Sequence, residues 1–287
     1  MNIASFRRAV WKYYKAHGRD LPWRKTRNPY NILVSEIMLQ QTQVERVIPK
    51  YRTFLKRFPD FKTLARAPLR NVLSEWQGLG YNRRAVSLHR LATIVIREHK
   101  GVLPCETDKL IALPGVGTYT ANAVRAFSWN LPGICLETNV RTAFIHAFFP
   151  RTKKVDPVRG KIPKVSAAPR ERASNGVDDK RIEAQVVKTL DIKNPREWYW
   201  ALMDYGAMIK REHGNFSRQS QHYTKQTRFE GSFRQVRSTV LKTVLEKPVK
   251  LPELVRKVKK DKVLIEKALR ALLREGAIKM ENGIIAI

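Results

Sequence analysis

Apolar residues recur every three or four positions along most of the chain, and short Pro- or Gly-marked breaks separate the runs. That rhythm predicts helices near residues 4–17, 29–46, 48–58, 61–67, 69–76, 82–99, 107–112, 117–129 and 138–148. Phe58-Pro59, Ala67-Pro68 and Gly78-Leu79-Gly80 mark the turns between consecutive helices. Strictly alternating apolar runs are scarce before residue 275, so the body is expected to be all-α. Residues 151–180 break the pattern: rich in charge, Pro, Ser and Gly, they read as a mobile basic loop. Helical spacing returns at 181–191 and 195–210, and again at 232–246, 251–258 and 261–275. The chain ends on an alternating segment, 277–287, with Asn282-Gly283 as a two-residue hairpin signal. Three helices and a small hairpin form the pattern of a winged helix; a plain helical cap on the body is the competing reading.

Composition adds a partner. The 287 residues, 43% of them hydrophobic, suffice for two or three compact units. Lys and Arg number 56 against 25 Asp and Glu, a formal charge of +31. That excess suits a polyanion, and nucleic acid leads because basic side chains release counterions on meeting phosphates. No uncharged run is long enough to cross a bilayer, so no membrane partner is expected. The opening MNIASFRRAVWKYYKAHGRD has helical spacing and no signal-peptide apolar region, so a cytoplasmic, nucleoid-associated prokaryotic protein is expected. Only two cysteines occur, Cys105 and Cys135, which argues against a disulfide framework and against a cysteine-held zinc or iron–sulfur site.

The most specific local pattern is Leu113-Pro114-Gly115-Val116-Gly117-Thr118, between two predicted helices. Its two glycines permit a tight reversal and close approach of backbone to a ligand. The amides of Val116, Gly117 and Thr118 then lie at a helix amino terminus, a ready phosphate site. An ordinary turn between helices is the alternative; the order LPGVG before a small-residue helix (Thr120, Ala121, Ala123) favours the phosphate.

LPGVGTYTANAV resembles the hairpin of the helix-hairpin-helix DNA glycosylase superfamily. Upstream, LPWRKTRNPYNILVSEIMLQQTQVERV (Leu21–Val47) resembles the adenine-specific branch, which excises adenine mispaired with guanine or oxidised guanine. The likeness continues through WQGLGY (Trp76–Tyr81), ETNVR (Glu137–Arg141) and ALMDYGAMI (Ala201–Ile209), and spans roughly residues 4–210. It implies a two-domain helical body with the base pocket in the cleft between the domains. The expected organisation is a six-helix domain over 21–130 and a second helical domain from 1–20 plus 131–227. A winged-helix-like module at 228–287 completes it. The implied partner is double-stranded DNA containing a mispair, bound by a monomer.

Removing adenine breaks the bond from ribose C1′ to a ring nitrogen, which calls for a general acid and a nearby negative charge. Glu36 is the first candidate. On a helix running from Tyr30 to Arg46 it shares a face with Gln40 and Gln43, apart from a stripe of Leu33, Ile37, Val44 and Ile48. A carboxyl among apolar neighbours keeps its proton toward neutrality. An exposed helix carboxylate is the ordinary alternative, and the family's proton-donating Glu falls on Glu36. The second carboxylate departs from the family: Glu137-Thr138-Asn139-Val140 stands where an Asp is typical. The added methylene displaces the carboxylate by ~1.5 Å unless the backbone compensates. Asn139 is expected to support that carboxylate or the adjacent phosphate, or to serve as a helix N-cap. Tyr119 falls where strand-cleaving relatives carry a Schiff-base Lys; Tyr cannot form that adduct, so base removal alone is implied. Packing beneath the hairpin is its other reading. Base flipping needs groups that fill or probe the duplex, and the resemblance assigns Gln41 and Tyr81 to this and Arg24 to the base pocket.

Many relatives hold an iron–sulfur cluster on four cysteines after the last body helix. Here the spacing falls on Lys210, Ser217, Ser220 and Gln226, so no cluster is expected, and packing by Phe216, Tyr223 and Phe229 is expected to hold the segment instead. A monovalent cation at the hairpin is the one ion the resemblance leaves room for. Two other functions remain open: a thymine (T/G) mismatch glycosylase, and a catalytically silent DNA-binding protein on the same scaffold.

Overall fold

The computed structural model describes residues 1–149, 176–225 and 228–287. Most of the basic segment 151–180 therefore lies outside the described residues, but its last two positions already belong to a helix. In chain order the helices are α1 (Ile3–His17), α2 (Pro29–Leu39), α3 (Val44–Arg57), α4 (Phe61–Arg66), α5 (Leu69–Glu75), α6 (Arg83–Glu98), α7 (Thr107–Ile111) and α8 (Thr118–Trp129). There follow α9 (Thr138–Phe148), α10 (Asp179–Thr189), α11 (Pro195–Glu212), α12 (Phe233–Glu246), α13 (Leu251–Val258) and α14 (Lys262–Glu275). Among the described residues, strands are confined to the carboxy-terminal part: β1 (Val249–Lys250), β2 (Lys279–Glu281) and β3 (Ile284–Ala286). Among the described residues no helix is long and apolar enough to cross a membrane.

The chain divides into two compact units, Met1–Arg19 with Pro132–Lys225, and Asp20–Leu131 with Gln226–Ile287. In the first, α9 packs on α11 and α10, and α1 on α11. Phe6 of α1 is the hub, with its ring 5.1 Å from Phe144, 5.0 Å from Phe148 and 6.4 Å from Trp198. Burying three aromatic neighbours around one ring is a large apolar gain for a single position. The close fit of α11 on α9 depends on Gly206, because any Cβ there would run into the carbonyl of Asn139.

In the second unit, α2 is buried along its whole length from Ile32 to Met38 and packs on α8, α3 and α6. Its start follows the sequence signals: Asn28 caps it by accepting from the N–H of Tyr30 at 2.9 Å, with Pro29 in the first turn. Its end does not. The expected helix over 29–46 stops at Leu39, turns through Gln40 to Gln43 and restarts at Val44. Gln40 is a C-cap and Gln43 an N-cap, so the shared face of Glu36, Gln40 and Gln43 does not exist. The cause is Arg84, a buried guanidinium on α6 that donates to the carbonyls of Ile37 (2.7 Å), Met38 (2.9 Å) and Gln40 (2.6 Å). Carbonyls left over at a helix end need a donor, and this one takes them off the helix axis.

The carboxy-terminal part has the expected three helices and hairpin, and adds a short strand, β1, between α12 and α13. Its sheet runs β1-β3-β2, all antiparallel. Asn282 (φ 50°) and Gly283 (φ 72°) both take the left-handed conformation that the two-residue hairpin demands. The module docks within the second unit: Arg70 of α5 donates to the carbonyls of Val244 and Leu245 at the end of α12.

Candidate active site

Glu36 sits in the middle of α2, 5% exposed, between Ser35 and Ile37 at 1% each. It is therefore a buried carboxyl, not the solvent-facing carboxylate that a lone helical Glu usually is. The helix that carries it is tied to the hairpin by the next polar residue along, since Gln40 Nε2 donates to Thr120 Oγ1 (3.2 Å) and to the Gly115 carbonyl (3.4 Å).

The hairpin has the expected form with one correction. Gly115 has φ +83°, and a Cβ there would lie 2.9 Å from Ser87 Cβ, so both its conformation and its packing require glycine. Leu113 and Val116 are buried beneath the turn. The N–H of Val116 is spent inside it, on the carbonyl of Leu113 at 3.2 Å, and does not face outward as expected. Gly117 is the N-cap of α8, and Gly117 and Thr118 are both exposed, so two amides rather than three remain at the helix end. Tyr119, in the first turn of α8, is half-buried.

A cavity of about 310 Å³ next to the hairpin brings Gln41, Tyr81 and Gly115 together with Gln40, Arg83, Arg84 and Ser87. Gln41 (φ 56°) and Tyr81 (φ 48°) both hold left-handed backbone, a costly state for residues with side chains and one that collects at functional sites. Arg84 stabilises both, because besides the end of α2 it holds the carbonyls of Leu79 (3.3 Å), Gly80 (3.0 Å) and Tyr81 (3.4 Å) and Thr42 Oγ1 (3.0 Å). Burial lowers its pKa to about 10, which still leaves it charged at neutrality. Nothing in the sequence flagged Arg84, since its partners are loop carbonyls distant along the chain. Arg24, in a short turn beside the buried Trp23, does not line this cavity.

Glu137 and Asn139 belong to the first unit. Glu137 is the N-cap of α9: its Oε1 accepts from the N–H groups of Asn139 (2.8 Å) and Val140 (2.9 Å). The N-cap is thus Glu137 and not Asn139. Although the residue is part-exposed over its whole surface, burial of the carboxyl pushes its pKa up, against the two amide bonds and the charges of Arg19 and Arg141 that pull it down. Those cations are themselves fixed. Arg19 Nε lies 2.5 Å from Asp204, a side chain 2% exposed, and Arg141 grips Asp179 with both ends of its fork, the closest contact 2.6 Å. The segment before Glu137 is bolted by buried Tyr199, which accepts from the Cys135 N–H (3.2 Å) and donates to the Gly133 carbonyl (2.6 Å). None of this support was read from the sequence, although Gly206, a glycine inside a helical run, is a signal that could have pointed to it.

Lys210, Ser217 and Ser220 do not fit a cluster that needs thiolates. The two serines are already engaged, Ser217 Oγ with Asn215 Oδ1 at 2.6 Å and Ser220 Oγ with Asp179 Oδ1 at 3.0 Å. Of the three aromatics expected to hold this stretch, Phe216 packs edge-on to His146 at 4.9 Å, while Tyr223 and Phe229 are exposed. The Arg141–Asp179–Ser220 chain takes over what those two were expected to do.

Residues 34–165 match the family model described as HhH-GPD superfamily base excision DNA repair protein. An adenine DNA glycosylase from Buchnera aphidicola subsp. Baizongia pistaciae is 34% identical over 214 residues, 73% of this chain and 54% of that protein. The chain thus spans about half the length of this relative. A thymine/uracil-DNA glycosylase from Pyrobaculum aerophilum is 35% identical over 159 residues, 55% of this chain and 69% of that one. Among solved structures, a thermostable thymine-DNA glycosylase superposes with a TM-score of 0.59 at 24% identity, covering 76% of this chain and 94% of its own.

Proposed function

We propose a function from one premise: the chain belongs to the HhH-GPD superfamily of base excision DNA repair proteins. It is a DNA glycosylase that hydrolyses the N-glycosidic bond of adenine mispaired with guanine or oxidised guanine, and it stops at base removal. The observation that carries this reading is Glu36, a carboxyl 5% exposed inside the SEIMLQQTQ string. Glu36 delivers a proton to the departing adenine, which leaves as a neutral base. Glu137 supplies negative charge beside the oxocarbenium-like sugar; burial raises its pKa, and its two amide bonds and nearby arginines work against that rise in favour of the ionised form this role needs. Asn139 and the hairpin residues Gly115, Gly117 and Thr118 hold the phosphate backbone over the buried Leu113 and Val116, with Gln41 and Tyr81 probing the duplex and Arg24 in the base pocket. Tyr119 in place of an amine makes a Schiff base, and hence strand cleavage, unavailable. The protein works as a monomer on double-stranded DNA at the nucleoid, without an iron–sulfur cluster; a monovalent cation at the hairpin is compatible with its exposed turn.

A second reading, thymine opposite guanine, is favoured by the Pyrobaculum relative. One assay separates the two: duplexes with A/G, A/oxidised-G and T/G pairs are incubated with the protein, and abasic sites are cleaved with alkali. Product from the adenine strands is expected. Product from T/G alone establishes the second reading, and none from any duplex identifies a silent binder.

A further inference from the structure

The carboxy-terminal module reaches the probing residue itself. Arg234, in the first turn of α12, donates from Nη1 to Tyr81 Oη at 3.0 Å, and its guanidinium carbon lies 5.6 Å from the centroid of the same ring. Arg84 approaches that ring as well, also at 5.6 Å. Two guanidinium groups therefore attend one tyrosine whose backbone is already held left-handed. Arg84 is buried, whereas Arg234 is part-exposed and arrives on a helix fixed at its far end by Arg70. A guanidinium carries five donors and no acceptor, and its fork matches two adjacent acceptors on a base edge.

We infer that Arg234 belongs to the site that probes the base left behind in the opposite strand, and that it reads guanine there through O6 and N7. This rests on the reading of Tyr81 and Gln41 as duplex-probing residues. Guanine is the base that presents two neighbouring acceptors on that edge; adenine and cytosine present an amino donor, and thymine a single acceptor beside a methyl group. Oxidation of guanine at C8 places a proton on N7 and turns one of the two acceptors into a donor. The fork that fits guanine is thus mismatched to oxidised guanine. The inference narrows the substrate to adenine opposite unmodified guanine.

The test is binding by the full-length protein to duplexes with a non-cleavable abasic analogue opposite guanine, oxidised guanine, 7-deazaguanine or cytosine, at one fixed salt concentration. The unaltered protein is expected to favour guanine over each of the others by about tenfold to a hundredfold. Arg234→Lys keeps the charge without the fork, so it should lose that preference. Its loss and the loss on 7-deazaguanine should not add, because both remove one contact. Tyr81→Phe keeps the ring and removes the hydroxyl partner; it should weaken the preference less than Arg234→Lys does. The inference is overturned if oxidised guanine binds as tightly as guanine, or if Arg234→Lys leaves the preference intact. Binding is read apart from excision, so a guanine preference without adenine release would sink the adenine reading and leave this one standing.

Discussion

On the proposed mechanism Glu137 is a carboxylate that must stay charged where burial resists the charge. Its pKa is raised in the folded chain, so the sign is fixed: the acid form is favoured, and folding loses stability as pH rises through the folded value. Two consequences can be measured. The acid limb of the excision rate should have its midpoint above the ordinary carboxylate value of 4.5. Glu137→Gln keeps an oxygen for the two amides and removes the charge, so it should lose excision by roughly a hundredfold or more while melting higher than the parent. That gain should be larger at pH 7 than at pH 5; a variant that melts lower at pH 7 would show that the charge stabilises the fold after all. The identity of this residue was legible in ETNVR, but its state was not. The state depends on Arg19 with its buried Asp204 and on Arg141 with Asp179, pairs that only folding assembles.

At the scale of elements, two side chains decide where helices stop and how closely they approach. Periodicity predicted one helix over 29–46, and its apolar spacing is real, yet Arg84 collects the carbonyls at Leu39's end and turns the chain. A window of local sequence cannot register a donor that arrives from 44 residues away. The caps and turns, in contrast, were legible, because Asn28-Pro29 and Asn282-Gly283 act through their own backbones. Gly206 stands between these cases, visible as an oddity but not as a contact. Gly206→Ala should cost about 2 kcal/mol by forcing α11 off the first turn of α9, read as a lower urea midpoint with unchanged slope. Excision should fall with it, since the displaced turn carries Glu137's two donors. An unchanged midpoint would mean that the helices part at no cost.

For the molecule as a whole, the +31 charge and the hairpin both point to a polyanionic partner, while the joining of the module to Tyr81 had no sequence signature. The same scale carries the expectation on iron. The purified protein should be colourless and free of stoichiometric iron by metal analysis; a visible band in the blue region would refute the cluster-free reading. On that reading the Arg141–Asp179–Ser220 latch has a meaning for the cell's economy. A guanidinium, a carboxylate and a hydroxyl need no metal supply and no assembly apparatus, and none of them is consumed by peroxide. Relatives fastened by thiolates and iron risk their fastening under the oxidants that damage bases, whereas a latch of this kind keeps the repair capacity independent of both iron scarcity and oxidative attack.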